Sequence, residues 1–447
     1  MIGLFLLFIA LYLYFTPKYR YLSYFLYIGF VTGGNGGFNL WTNSVVGFKQ
    51  TDCALIYSIV IIFYLISTRQ RIIPKIKELQ YCKWFLAFIL ASFCFSILYY
   101  GLTPYEVLQG GRTFLLVLML PVLIRIEPKE YEKVIKLMMW MCFITCTLYI
   151  GQIVLKRPLM PYEYIANADK GTGTLRFYNI PPNIAFFLSL TFLSPHFFER
   201  TKLNINIFRL IFIVAEICTL GRTGIAVCFF TVLLSMAIGG SFKKMTKAII
   251  ILGIVLTPFI GTISQRFESS NTNSDIERIM NGEFAGSYNP EGNGDATMLY
   301  RFAWVYERTH YLLKRPISEQ FLGMGLCTES TDWPYEHYKF RIGLMDEWDR
   351  VMQLSTPDIG YGNLITMLGF GGTLIFLLML VNFTRLLWKN RRLNNYITIL
   401  SAMSLMMYIS SFSSVGFSNP TTLVPYFLGF SFILRKAQNN NKQSDEI

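Results

Sequence analysis

The chain has 447 residues, of which 53% are hydrophobic, 16% aromatic and only 15% charged, with a mean hydropathy of +0.42. A soluble chain carries about a quarter charged residues, whereas here the apolar residues come in unbroken blocks; that excludes an ordinary soluble protein and leaves transmembrane or fully buried helices. The net charge of +13 would suit nucleic acid, but the placement of the basic residues excludes that partner.

Apolar segments are expected at 2–15, 21–31, 53–67, 84–100, 112–124, 134–155, 181–198, 207–220, 223–240, 248–263, 358–382, 396–412 and 420–434. They predict an all-α, polytopic membrane helix bundle of about 12–13 transmembrane helices. The first has no basic n-region and no A-x-A-like site, so it reads as a span and not as a cleaved leader. Alternate connections gather the basic residues, from Lys18 and Arg20 to the tail after Arg435, and hold 24 of the 40 Lys and Arg. This positive-inside pattern accounts for the charge, and puts the N-terminus outside and the C-terminus in the cytoplasm. Residues 1–263 then hold ten spans with a short outer loop at 156–180. Residues 264–357 form a large extracytoplasmic loop, 358–434 three further spans, and 435–447 a cytoplasmic tail. Of eight cysteines only Cys327 falls in the large loop, so no disulfide framework is implied. No repeat of 20–50 residues is visible.

The large loop opens polar and turn-rich, yet carries Trp304, Trp333, Trp348 and many tyrosines, and is expected to fold partly as a cap over the outer face. Within it, 297–314 reads as an amphipathic helix ended by Pro316. Arg301, Trp304, Arg308 and Tyr311 share one face, and His310 lies opposite Arg301. Gly369, Gly371 and Gly372 would let the helix after Asp358 pack closely on a neighbour.

The polar residues that interrupt the apolar pattern carry the functional reading. Arg222, in TLGRTGIAVCFF, stands between two spans at the outer border. It is either an arginine snorkelling to the interface or a fixed cation in an outward-open cavity. Arg112, in LQGGRTFLLVLML, opens a span from the same side; Arg176 precedes another, Arg266 follows one, and Arg301 and Arg308 lie in the amphipathic helix. Guanidinium groups collected near one face suit phosphate or carboxylate, which they grip bidentately. Asp358 is expected in the first turn of its helix, behind Ser355 or Thr356 as cap and Pro357. There it either offsets the helix dipole or serves as a general base. Glu216 is a charge partner for Arg222 or Arg112. Asp346, Glu347 and Asp349 are adjacent acids of the kind that solvate a loop more often than they bind metal. Asn289-x-Glu291-x-Asn293-Gly294 begins like a calcium loop, but its twelfth position is Tyr300. Nucleotide-loop, nucleophile-elbow and zinc-protease motifs are absent.

Taken together, the LGRTG arginine between two spans, the R-F pair at Arg266, YRFAWVYERTHYLLKRPISEQFLGMGL and TPDIGYGNLITMLGFGGTLIF resemble the bacterial Wzy-type polysaccharide polymerases and the related O-antigen ligases, over roughly residues 205–380. The resemblance implies an all-helical membrane bundle with a large outer loop. It also implies joining of glycans carried on undecaprenyl diphosphate at the outer face of the bacterial inner membrane. Arg222 and Arg301 match the arginines that hold the lipid diphosphate. Asp358 stands where ligases carry a histidine, which leans toward a polymerase. Arg112, Arg176, Arg266 and Arg308 are expected substrate contacts, and no metal or cofactor is required. The partners implied are the lipid-linked oligosaccharide, the bilayer and a chain-length regulator. The rivals are a ligase, or a flippase of lipid-linked oligosaccharide. A flippase fits less well, because the arginines gather at one face and only Glu216 lies within a span.

Overall fold

The computed structural model describes residues 2–32, 49–160, 167–168, 175–177, 180–199, 201, 203–240, 242–257, 261, 272–284, 297–346, 348–356, 358–414, 416 and 423–444. Arg266 and the stretch from Asn289 to Gly294 lie outside the described residues, as do Glu347 and Pro357.

In chain order the helices are α1 (Ile2–Tyr14), α2 (Arg20–Val31), α3 (Gln50–Ser67), α4 (Lys77–Leu98), α5 (Pro104–Leu115), α6 (Leu120–Leu123) and α7 (Pro128–Leu155). After the short antiparallel pair β1 (Asn167–Ala168) and β2 (Leu175–Arg176) come α8 (Ile184–Leu193), α9 (His196–Glu199), α10 (Ile205–Cys218), α11 (Arg222–Ile238) and α12 (Phe242–Leu256). Then follow α13 (Thr272–Met280), α14 (Thr297–Leu313), α15 (Ile317–Leu322), α16 (Trp333–His337), α17 (Gly360–Lys389), α18 (Asn395–Ser410) and α19 (Leu423–Ser444). The protein is predominantly helical, and within the described residues each expected apolar segment coincides with a helix or a run of helices. Five of these, Gln50–Ser67, Lys77–Leu98, Pro104–Leu123, Pro128–Leu155 and Gly360–Lys389, are long and apolar enough to cross a membrane. Among the described residues, six further apolar helices are shorter.

Helix starts precede the apolar runs where polar residues cap them. Thr103 Oγ1 accepts from the Glu106 amide at 3.3 Å, and the Glu106 carboxylate accepts from the Thr103 amide at 2.8 Å. This capping box, with Pro104 behind it, begins α5 well before Arg112. Arg112 therefore does not open a span but lies in the last turn of α5.

Contacts between helix ends sort into two groups. Arg20 meets Glu130 at 3.8 Å, Arg125 donates to the Arg71 carbonyl at 2.6 Å, and Asn395 donates to the Leu193 carbonyl at 3.0 Å. At the other ends Arg112 meets Asp52 at 3.3 Å, Ser413 donates to Thr223 at 3.0 Å, and the Gly360 amide donates to the Ser411 and Ser414 carbonyls. Each contact joins ends that the alternation of basic loops assigns to the same side.

The stretch between α14 and α17 does more than cover the bundle. Residues 319–327, EQFLGMGLC, thread between α4, α5 and α17. Tyr99 Oη donates to Glu319 at 2.9 Å, Tyr100 Oη to the Gly323 carbonyl at 3.0 Å, and the Leu326 amide to Ser96 Oγ at 3.0 Å. The chain enters because it is apolar and because glycine removes the side chains at the crossing. Gly323 (φ 89°) meets Gly369 (φ 65°), and a Cβ on Gly323 would lie 2.6 Å from the Gly369 nitrogen. Gly369 interrupts α17, which frees the Thr366 carbonyl from its helical partner, and the Met324 amide takes it at 2.8 Å. Gly371 and Gly372 pack against Phe321 and Phe88, the close approach expected of them.

Gly323→Ala and Gly369→Ala should each lower thermal stability in detergent by more than about 1 kcal/mol, because both the φ and the space are wrong for a side chain. The double variant should lose less than the two losses added, since both act at one crossing. Strict additivity would mean that the crossing is not their common cause.

Candidate functional site

Two helix starts and one turn form the candidate site. α10 ends at Cys218 and α11 begins at Arg222, so the corner has three residues, with Leu220 held at φ 53°. A left-handed leucine is a strained conformation that its surroundings must hold in place. The Gly221 amide donates to Thr219 Oγ1 at 3.2 Å, and half-buried Arg222 occupies the first position of α11. Next to it, Thr223 Oγ1 accepts from Ser413. Ser413 belongs to the SSFSS turn after α18, and carbonyls of that same turn, Ser411 and Ser414, receive the first amide of α17. The serine turn thus ties the start of α11 to the start of α17. Both starts carry the partial positive charge of a helix N-terminus.

Asp358 lies two residues before α17, not in its first turn as expected, because the chain is still extended at Ile359. Its amide donates to Thr356 Oγ1 at 3.3 Å. Asn363 in turn grips both backbone groups of Thr356, accepting from its amide at 2.9 Å and donating to its carbonyl at 2.7 Å. Glu329 accepts the Leu354 and Ser355 amides just upstream; burial raises its carboxyl, against the lowering by those amides and by Arg308. The backbone on both sides of Asp358 is therefore held in place, while the Asp358 side chain stays 38% exposed.

Arg301, distant in sequence, reaches Asp358: Nη2 lies 3.9 Å from Oδ1. Its other contact is Nη1 with Met298 Sδ at 3.8 Å, and its Nε is buried with no hydrogen-bond partner among the described residues. Arg301 therefore holds donors in reserve, and a pair this long and this exposed is worth at most about 1 kcal/mol. An incoming anion could take the guanidinium at little cost.

Arg308 is the opposite case and leaves the expected binding set. Only 1% exposed, it donates to the Gln353 and Met352 carbonyls at 3.2 Å and to Glu307 at 2.7 Å. Its guanidinium lies between the Trp304 and Phe340 rings, 4.3 and 4.5 Å from their centroids. It clamps segment 340–353 onto α14. Trp304, on the same face, is buried against Gly362 and offers no surface to a sugar, whereas Trp348 is 77% exposed. His310 is exposed on the far side of α14, stacked on Tyr306.

Arg112 also leaves the group, since its carboxylate is Asp52 and not Glu216. Glu216 is buried beside the first turn of α11, its Oε1 facing Gly224. Arg176 lies in β2 with its Cα opposite Asn167. No group of three or more His, Cys, Asp or Glu capable of holding a metal occurs among the described residues. Asp346 is used locally. Its desolvation raises the carboxyl, but the Arg350 and Trp348 amides and the Arg350 guanidinium outweigh that and hold it at about 2.

Sequence reasoning missed the serine turn, Asn363 and Glu329, and took Thr356 only as a helix cap. Four serines directly after an apolar run were the one legible signal. The roles of Thr356, Asn363 and Glu329 come from backbone groups that no sequence pattern displays.

Arg308→Lys should destabilise the protein by roughly 2–4 kcal/mol in thermal or denaturant unfolding, since an ammonium cannot serve three acceptors and two rings at once. Arg301→Lys should fall within about 0.5 kcal/mol of wild type. Equal losses would erase the distinction drawn between the two. The Asp346 carboxyl lies below its ordinary 3.8, so the order it gives the 346–350 turn is complete above that value and lost as pH falls toward 2. Trp348 fluorescence should report this transition, and Asp346→Asn should abolish it.

No family model matches the sequence, and no curated protein matches it.

Proposed function

We propose that the chain is a multi-pass membrane glycosyltransferase that polymerises undecaprenyl-diphosphate-linked oligosaccharide units into a surface polysaccharide. In this reading the serine-turn end of the bundle, with α14 to α16 beside it, faces outward from the bacterial inner membrane, and the basic end faces the cytoplasm. The observation that carries the reading is the meeting of Arg301 and Asp358 at the start of α17, tied through the serine turn to the helix start that carries Arg222.

The chemistry follows from those groups. The donor's anomeric carbon bears a diphosphate leaving group. Asp358 takes the proton from an acceptor sugar hydroxyl as its oxygen attacks that carbon. The new C–O bond forms as the bond to the diphosphate breaks, and the electron pair leaves with the diphosphate. Arg222, Arg301 and the two helix N-termini stabilise the charge that builds there, which is greatest in the transition state. Direct displacement inverts the anomeric centre. The arginines do the neutralising that a divalent cation would otherwise do. Arg176 and Arg266 are kept as proposed substrate contacts.

A surface-glycan gel of a deletion strain tests this, with protein levels matched. Wild type should restore a ladder, and Arg222→Ala or Asp358→Asn should collapse it to a single repeat unit. Arg301→Lys should cut polymer yield roughly 10-fold or more, because the fork that grips phosphate is lost. Full ladders from all three variants would remove these residues from the chemistry. A deletion that accumulates long, lipid-linked polymer would make the protein a ligase.

A further inference from the structure

Arg112 and Asp52 bound a pocket, lined also by Gln109, with a volume of about 300 Å³ between α3 and the Pro104–Leu123 run. The Arg112 side chain is only 9% exposed, yet Nη1 alone is used, reaching both Asp52 oxygens at 3.3 and 3.4 Å. Its Nη2 and Nε donate to nothing among the described residues. On the side of Leu115 the wall is aliphatic, with Leu55, Ile56 and Ile59 from one helix facing Leu115 and Leu118 from the other, while Tyr105 and Leu108 line the opposite end. Ile59 lies seven residues beyond Asp52, about 10 Å along the helix axis. Ile56 and Ile59 are exposed, so the slot opens sideways, along its length, on the surface that a bilayer would cover.

We infer that this pocket binds one molecule of a zwitterionic aminophospholipid, its phosphate on Arg112, its ammonium on Asp52 and an acyl chain along the aliphatic slot. The occupant is set by charge. An anionic ligand would face Asp52 as well as Arg112, whereas an ammonium and a phosphate two carbons apart meet one partner each. The unused donors of a nearly buried guanidinium await acceptors, and Gln109 adds a further polar contact at the same level. Free phosphoethanolamine would satisfy the pair but leave the slot empty, and burial of the chain supplies the affinity. The inference rests on the chain lying in a bilayer, and it is independent of glycan transfer.

The test uses the full chain purified in mild detergent, with bound lipid read by native mass spectrometry. Phosphatidylethanolamine should be retained over phosphatidylglycerol. Arg112→Gln should lower its retention about tenfold or more, the loss expected for a charge-assisted contact. Asp52→Asn should shift the preference toward phosphatidylglycerol. Ile59→Trp fills the slot without touching the ion pair, and should expel the lipid while leaving the thermal midpoint within a few degrees of wild type. Absence of bound lipid from wild type, preference for phosphatidylglycerol, or undiminished retention in Ile59→Trp would each overturn the inference. The glycan ladder is scored alongside: lipid loss with an intact ladder supports this site whatever the Arg222 and Asp358 variants show.

Discussion

The crossing of Gly323 over Gly369 is the contact on which the rest of the arrangement depends. Two backbones can touch there only because neither residue carries a side chain and both tolerate positive φ. The crossing breaks α17 into a short first piece and a long second one, and pins the inserted segment between α4 and α5. The first amide of the short piece meets the serine turn. Without the break, Asp358 would be carried along the axis of a straight helix. The Thr366 carbonyl would also have no reason to receive Met324.

Three arginines on one chain show how hydrogen-bond accounting separates structure from chemistry. Arg308 spends its guanidinium on two carbonyls, a carboxylate and two rings, so its environment is complete. Arg301 spends almost nothing, and its one carboxylate stands at a distance where the pair is easily exchanged. Arg112 lies between these extremes, paired on one nitrogen and unused on the others. All three are arginines near one end of the bundle, and a count of charges would treat them alike. The cost of leaving a buried donor unmade is what ranks them.

The serine turn has a different role. Its hydroxyls and carbonyls join two helix starts that would otherwise repel, each presenting unpaired amides and partial positive charge. One amide of α17 is satisfied by the turn, and Thr223 of α11 by Ser413. Each start keeps the partial positive charge of a helix N-terminus, and Asp358 lies two residues before the second.

Unbroken apolar blocks made the helices legible, since only a fully buried or lipid-covered helix dispenses with a polar face. Alternation of basic loops told which ends belong together. The amphipathic period of 297–314 placed Arg301 and Arg308 on one face, with His310 opposite. Local pattern could not tell Arg301 from Arg308, because what differs is the segment 340–353 that folds over one and not the other. Nor could it show that Arg112 belongs with Asp52, a pairing made by two helices far apart in the chain. The sequence by itself determined the helices and which of their ends lie together, which follow from solvation and near-neighbour sterics. Only the tertiary structure decided which cations are spent and which are held ready, because hydrogen bonds are satisfied by whatever chain segment arrives in space.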